Sequence, residues 1–90
     1  MVTAIIRNEV KDFKAWKKVF DEDQPKIAAA GAKLLGLYTS VDNPNEVTMI
    51  YEAPAAELYD QLMSDPERQA EIERAGVIGT PTVSFLKKAD

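Results

Sequence analysis

The chain contains no cysteine and no histidine. Without thiolate or imidazole it has no disulfide, no cysteine nucleophile, no histidine base, no zinc or iron–sulfur centre of the usual ligands and no histidine-held haem. We therefore expect neither metal nor cofactor. Basic residues are also in the minority, with 11 Lys and Arg against 15 Asp and Glu for a net charge of −4. Nucleic-acid surfaces depend on basic neutralisation of phosphates, so nucleic acid is not an expected partner. Long apolar runs are missing as well. The stretch Val47 to Tyr51, interrupted by Thr48, falls far short of the ~20 residues of a membrane helix. The opening residues lack the charged start and long apolar stretch of a secretion signal. The expectation is a cytoplasmic protein with no membrane partner.

What is present suffices for one domain, residues 1–90. At this size folding hides only about 64% of the unfolded surface, a thin margin for a chain on its own. Val2 to Val10 is rich in β-branched residues and reads as the first strand. Asp12 then offers an N-cap, and Phe13, Trp16, Val19, Phe20 and Ile27 recur at helical spacing up to Gly31, with Pro25 predicting a kink or a restart. Lys33 to Val41 and Glu46 to Ala53 flank the turn residues Asp42, Asn43, Pro44 and Asn45, so they form a hairpin. Pro54 opens a second helical segment, and Ser64, Asp65, Pro66 and Glu67 signal a fresh start, giving two short helices that end at Gly76. Thr82 to Lys87 is the last strand.

The order strand, helix, strand, strand, helix, strand with right-handed crossovers gives an α+β, ferredoxin-like βαββαβ fold. Its sheet is four-stranded and antiparallel, with the helices on one face. The first and third strands lie inside, the second and fourth at the edges. Alternation places Ala4, Ile6, Leu35, Leu37, Val47, Met49, Tyr51, Val83 and Phe85 under the helices. The other face carries Ile5, Leu34, Ile50 and Leu86 among Arg7, Glu9, Tyr38, Glu52 and Ser84. No helix remains to cover it. A face four strands wide and about seven residues long projects about 440 Å², near the size at which an exposed apolar patch marks an interaction site, and the simplest partner is a second copy about a two-fold axis. Arg7 would pair there with Glu52 or Glu9.

The residues Asp12, Phe13, Trp16 and Phe20, the turn Pro44 to Val47, and the end Ala75, Gly76, Val77, Gly79, Pro81, Val83, Phe85 and Leu86 resemble the dimeric α+β barrel superfamily, the antibiotic-biosynthesis-monooxygenase-like proteins. The resemblance covers nearly the whole chain. It implies a homodimer and a pocket between sheet and helices that takes a small organic molecule. Members of that group include cofactor-independent oxygenases, lactone isomerases, haem-degrading enzymes and non-catalytic stress proteins. The missing histidine argues against the haem branch. The catalytic Asn of such members, on the first strand, corresponds to Asn8, whereas Trp16 lies on the first helix, where the family's pocket Trp does not.

Two constellations are therefore candidates. Asn8, Trp16, Tyr51 and Tyr59 would surround one pocket, an amide to polarise an oxygen and rings to stack on a planar substrate. Arg7, Tyr38, Glu52 and Ser84 would sit on the intersubunit face, where Arg7 grips a carboxylate and Glu52 acts as a base on a lactone or ketone. The plainer reading makes the rings core and Arg7 an interfacial ion partner. Lys11, Lys14, Lys17 and Lys18 read as a solvated helix face, with Lys17 to Asp21 and Lys18 to Glu22 as pairs one turn apart. The acidic run Asp21, Glu22 and Asp23 lacks a calcium loop's glycine and closing glutamate.

Overall fold

The computed structural model describes residues 1–89 and shows the βαββαβ order, with the second helical segment split in two. The elements are β1 (Val2–Val10), α1 (Phe13–Ala29), β2 (Lys33–Thr39), β3 (Glu46–Ala53), α2 (Glu57–Met63), α3 (Pro66–Arg74) and β4 (Val77–Leu86). The four strands form one sheet in the order β2-β3-β1-β4, every neighbouring pair antiparallel. This is the expected ferredoxin-like arrangement, with β1 and β3 inside.

Helix α1 starts where Asp12, in extended conformation, accepts from the Lys14 backbone N–H at 3.3 Å. The next orphan donor, the Phe13 N–H, reaches Asn45 Oδ1 at 3.0 Å, so the β2–β3 turn fixes the start of the helix. Trp16, Phe20 and Ile27 form its buried stripe, and Trp16 stacks on Phe20 with ring centroids 4.9 Å apart. The helix continues through Pro25 without a restart. Proline removes the bond to the Asp21 carbonyl, and just before it the Gln24 side chain donates to the Phe20 carbonyl at 3.2 Å. In the second segment, Asp65 caps α3 by accepting from Glu67 N–H at 3.0 Å, with Pro66 in the first turn. Beyond α3, Gly76 has φ of +87°, a left-handed value that a side chain would strain, and its carbonyl accepts from Lys11 N–H at 2.9 Å.

The expectations for strands β2 and β4 need correction. In β2 the register slips between Leu34 and Gly36, so Leu34 pairs with Tyr51 and Leu37 with Met49. A bulge of one residue flips every side chain on its far side. Leu34 accordingly packs on the core, not on the open face, while Leu35 is 49% exposed and not under the helices. Strand β2 also stops at Thr39, short of Val41, which is fully exposed. Strand β4 begins at Val77, five residues before the expected Thr82, because a second irregularity opposite Arg7 to Glu9 carries it through Gly79, Thr80 and Pro81. An edge strand tolerates proline there, since its N–H would face away from the sheet.

The core lies between the sheet and α1, around Ala4, Val10, Val47, Met49, Tyr51 and Ala75 together with the α1 stripe. The other face of the sheet has no cover in this chain. Ile5 and Ile50 pair across β1 and β3 at its centre, and Leu86 and Ile78 of β4 are 48% and 42% exposed. The total accessible surface is 6013 Å², against about 5,200 Å² for a typical monomer of this mass. No helix among the described residues is long and apolar enough to cross a membrane.

Candidate functional site

A cavity of about 130 Å³ opens between the sheet and the three helices. Its floor comes from alternate residues of the inner strands, Ala4, Ile6, Asn8, Met49 and Tyr51. Trp16, Phe20 and Ile27 of α1 form one wall, while Leu58, Tyr59 and Leu62 of α2 and Ile72 of α3 close the other side. Phe85 of β4 meets Tyr59 edge to face, with centroids 5.8 Å apart. The helical spacing of the α1 stripe and the two-residue period of the strands thus converge on one hollow. An engineered apolar cavity of ~150 Å³ holds one benzene ring, so this one is ring-sized.

The first constellation, Asn8, Trp16, Tyr51 and Tyr59, is brought together in this lining. Asn8 sits opposite Val47 on the helix side of β1, and its Oδ1 is buried with no hydrogen-bond partner. Tyr51 is buried, and its hydroxyl lies 3.0 Å from the Gln24 amide of α1. Burial pushes the Tyr51 hydroxyl above its ordinary pKa; the Gln24 hydrogen bond works against this, the Asp23 carboxylate adds to it and the Arg68 guanidinium opposes it. Burial, and then the neighbouring Asp60, raise Tyr59 too. Both phenols are neutral at ordinary pH.

The second constellation is not brought together. Tyr38 pairs with Thr48, which pairs with Arg7 across two strand spacings, about 10 Å. Glu52 is four residues further along β3, about 13 Å away, opposite Thr3 and Lys33. Ser84 pairs with Ile5. Within the chain Arg7 lies 3.8 Å from Glu46, not beside Glu52 or Glu9, with the two side chains 58% and 42% exposed.

The sequence reading passed over two charged residues in the cavity wall. Asp23 of α1 and Arg68 of α3 form an ion pair at 2.5 Å, with side chains only 15% and 14% exposed. Of the acidic run only Asp21 and Glu22 are exposed; Asp21 binds Lys17 at 2.7 Å as expected, whereas the expected Lys18–Glu22 pair is not formed among the described residues. A signal for Asp23 was available: it falls three residues after Phe20 and four before Ile27, on the buried stripe. Arg68 likewise precedes Ile72 by four. Lys26 and Glu71, the latter also in the cavity lining, form a second link between α1 and α3 at 3.4 Å.

No protein-family model and no curated protein matches the chain. Solved structures do. A Bordetella bronchiseptica protein named for the antibiotic biosynthesis monooxygenases superposes with a TM-score of 0.80 at 15% identity, covering 98% of this chain and 96% of that one. SnoaB, a cofactor-independent oxygenase from Streptomyces nogalater, gives 0.71 at 16% identity, covering 99% and 93%. A NIPSNAP domain protein from Burkholderia xenovorans gives 0.71 at 20% identity, covering 99% and 95%. The chain has the α+β fold of the antibiotic-biosynthesis-monooxygenase-like proteins, as its residues suggested. At such identities the likeness is one of fold, and fold does not specify chemistry.

Proposed function

We propose that this chain binds one small, planar, largely apolar organic molecule in the cavity beneath its helices, as half of a homodimer joined through the open sheet face. The observation that carries the ligand is the cavity itself, ring-sized and walled by Trp16, Phe20, Tyr51, Tyr59 and Phe85. Aromatic walls favour a flat guest by stacking and edge contacts. The dimer is supported by the apolar residues left on the uncovered face and by the surplus of exposed surface. Trp16 is the only tryptophan, so its emission reports on the cavity directly. Titration with single-ring aromatics should quench or shift that emission saturably and raise the melting temperature. A panel that changes neither would refute ligand binding at this site.

One observation favours a catalytic version, cofactor-independent oxygenation of the bound ring, the activity for which SnoaB is named. Asn8 projects into the cavity with Trp16 in the same lining. An amide so placed can hold the oxygen of an electron-rich, deprotonated substrate while that substrate itself reduces dioxygen. Oxygen uptake with a bound phenolic ring tests it. The lactone-isomerase alternative needs Arg7, Tyr38 and Glu52 to converge, and within one chain they are spread over the sheet.

A further inference from the structure

The cavity wall is incomplete at Phe85. This ring lines the hollow and meets Tyr59 edge to face, yet it is 41% exposed, whereas Ala4 beside it on β1 is 5% exposed and Tyr51 on β3 is 6%. The strand order explains the difference. β4 is an edge with β1 as its only neighbour, so no strand flanks Phe85 on its outer side. The hollow therefore has its mouth along β4, where Pro81 lines it too. A phenylalanine carries about 200 Å² of surface, so roughly 80 Å² of apolar area lies bare there. The bare surface continues around the strand. Leu86, the next residue, pairs with Thr3 and points to the open sheet face at 48% exposed, and Ile78 on the same face of β4 is 42% exposed. Cavity mouth and open face are joined across the thickness of one strand.

Resting on the homodimer and small-molecule readings, we propose that the second copy overhangs the β4 edge and closes the cavity mouth over Phe85, so that ligand binding and dimerisation strengthen one another. The area agrees with a partner of this kind. The chain exposes roughly 800 Å² more than a typical monomer of its mass, and a standard interface takes ~800 Å² from each partner. The open face also carries both signs of charge, Arg7 and Lys33 with Glu9 and Glu52, so a copy can meet a copy without like charges opposed throughout. In the monomer a ring bound against Phe85 has water on the far side of that wall. In the dimer it has protein there, and two-fold symmetry makes each copy close the other's cavity. The linkage is reciprocal. Whatever factor dimerisation adds to the affinity of one cavity, ligand adds to the dimer once for each of its two cavities.

Analytical ultracentrifugation measures the dimer dissociation constant with and without saturating toluene, while Trp16 emission reports that the cavity is filled. A coupling of at least roughly fivefold per cavity should lower that constant at least about 25-fold. An unchanged constant with toluene bound would overturn the closure. The second measurement uses Leu86→Lys, on the open face and outside the cavity lining. At dilutions where this variant is monomeric it should bind toluene at least roughly fivefold more weakly than the unaltered dimer, and recover as rising concentration restores the dimer. Equal affinity in the monomeric variant would overturn the proposal, and so would a Leu86→Lys dimer of undiminished affinity, which would place β4 outside the interface. Toluene failing to bind either chain would sink the cavity reading, and an unaltered chain that stays monomeric would sink the dimer reading; each takes the proposal with it by its own signal. Should Leu86→Lys not fold, the comparison on the unaltered chain decides alone.

Discussion

Replacing Ile50 by lysine tests the proposed dimer where it is most exposed to refutation. Ile50 lies on inner strand β3, beside Ile5 of β1 and Gly36 of β2, at the middle of the uncovered face. In an isolated chain the residue is only half-buried and faces solvent, so a lysine there costs the fold little. In a dimer joined through this face the same change removes an isoleucine contact worth about 1.5–3 kcal/mol. It also places an ammonium in a dry interface, a further cost of several kcal/mol. Two-fold symmetry applies the change twice. Even at about 3 kcal/mol per chain the dimer loses about 6 kcal/mol, or roughly four decades in dissociation constant. Light scattering and circular dichroism at about 10 µM would show a dimer for the unaltered chain and a monomer for Ile50→Lys, folded or melted according to how far the fold depends on its partner. A correctly folded unaltered monomer at that concentration would refute the reasoning. So would an Ile50→Lys dimer of undiminished affinity.

Asp23→Leu alone strands the Arg68 guanidinium in the cavity wall, a loss of about 3 kcal/mol; thermal melting should fall by at least 10 °C, at about 4–8 °C per kcal/mol in a domain this small, and recover in part when Arg68→Met is added. Asn8→Ala removes an acceptor that has no partner, so melting should be unchanged or slightly raised, whereas any oxygen uptake on a bound ring should be lost; retained uptake would remove Asn8 from the chemistry. For Tyr51 the folded-state pKa lies above the unfolded value, chiefly through burial. Its contribution to stability is therefore complete below about pH 10 and is lost as pH climbs from there through the raised folded value. Alkaline unfolding followed by circular dichroism should be shallower in Tyr51→Phe, and identical slopes would contradict the assignment.

The element order was legible because each boundary had a local cause. Asp12 and Asp65 cap their helices with side-chain oxygens, Pro66 suits a first turn, and the Asp42 to Asn45 cluster can only turn. From that order the sheet topology follows by handedness alone. The register of the edge strands did not follow. Leu34 and Leu35 are equally apolar, so either satisfies the core, and only pairing with Tyr51 selects Leu34. Likewise Gly79 and Pro81 read as strand breakers, yet an edge strand with a bulge accommodates both. Periodicity sees the side-chain alternation and not the backbone insertion that shifts it.

The candidate site divides along the same line. Asn8, Trp16, Tyr51 and Tyr59 are found by sorting faces, since each lies on the inward period of its own element. Asp23 and Arg68 escape because charge type was allowed to outweigh position: an aspartate following Asp21 and Glu22 looks solvated until its place on the Trp16, Phe20, Ile27 stripe is given priority. The same residues violate ordinary folding rules most heavily. A small domain has few kcal/mol of net stability to lose, yet here it keeps a part-buried ion pair, three unpaired polar atoms and a ring-sized hollow beneath its helices. Replacing the pair with apolar side chains that fill the void would be the more stable solution. Departures from local consistency that gather in one place, and not at random over the molecule, are the pattern expected of a position held for function, and they support the proposed ligand site. That they gather around the cavity, and not on the open sheet face, is the physical reason for placing ligand chemistry beneath the helices and assembly on the opposite side.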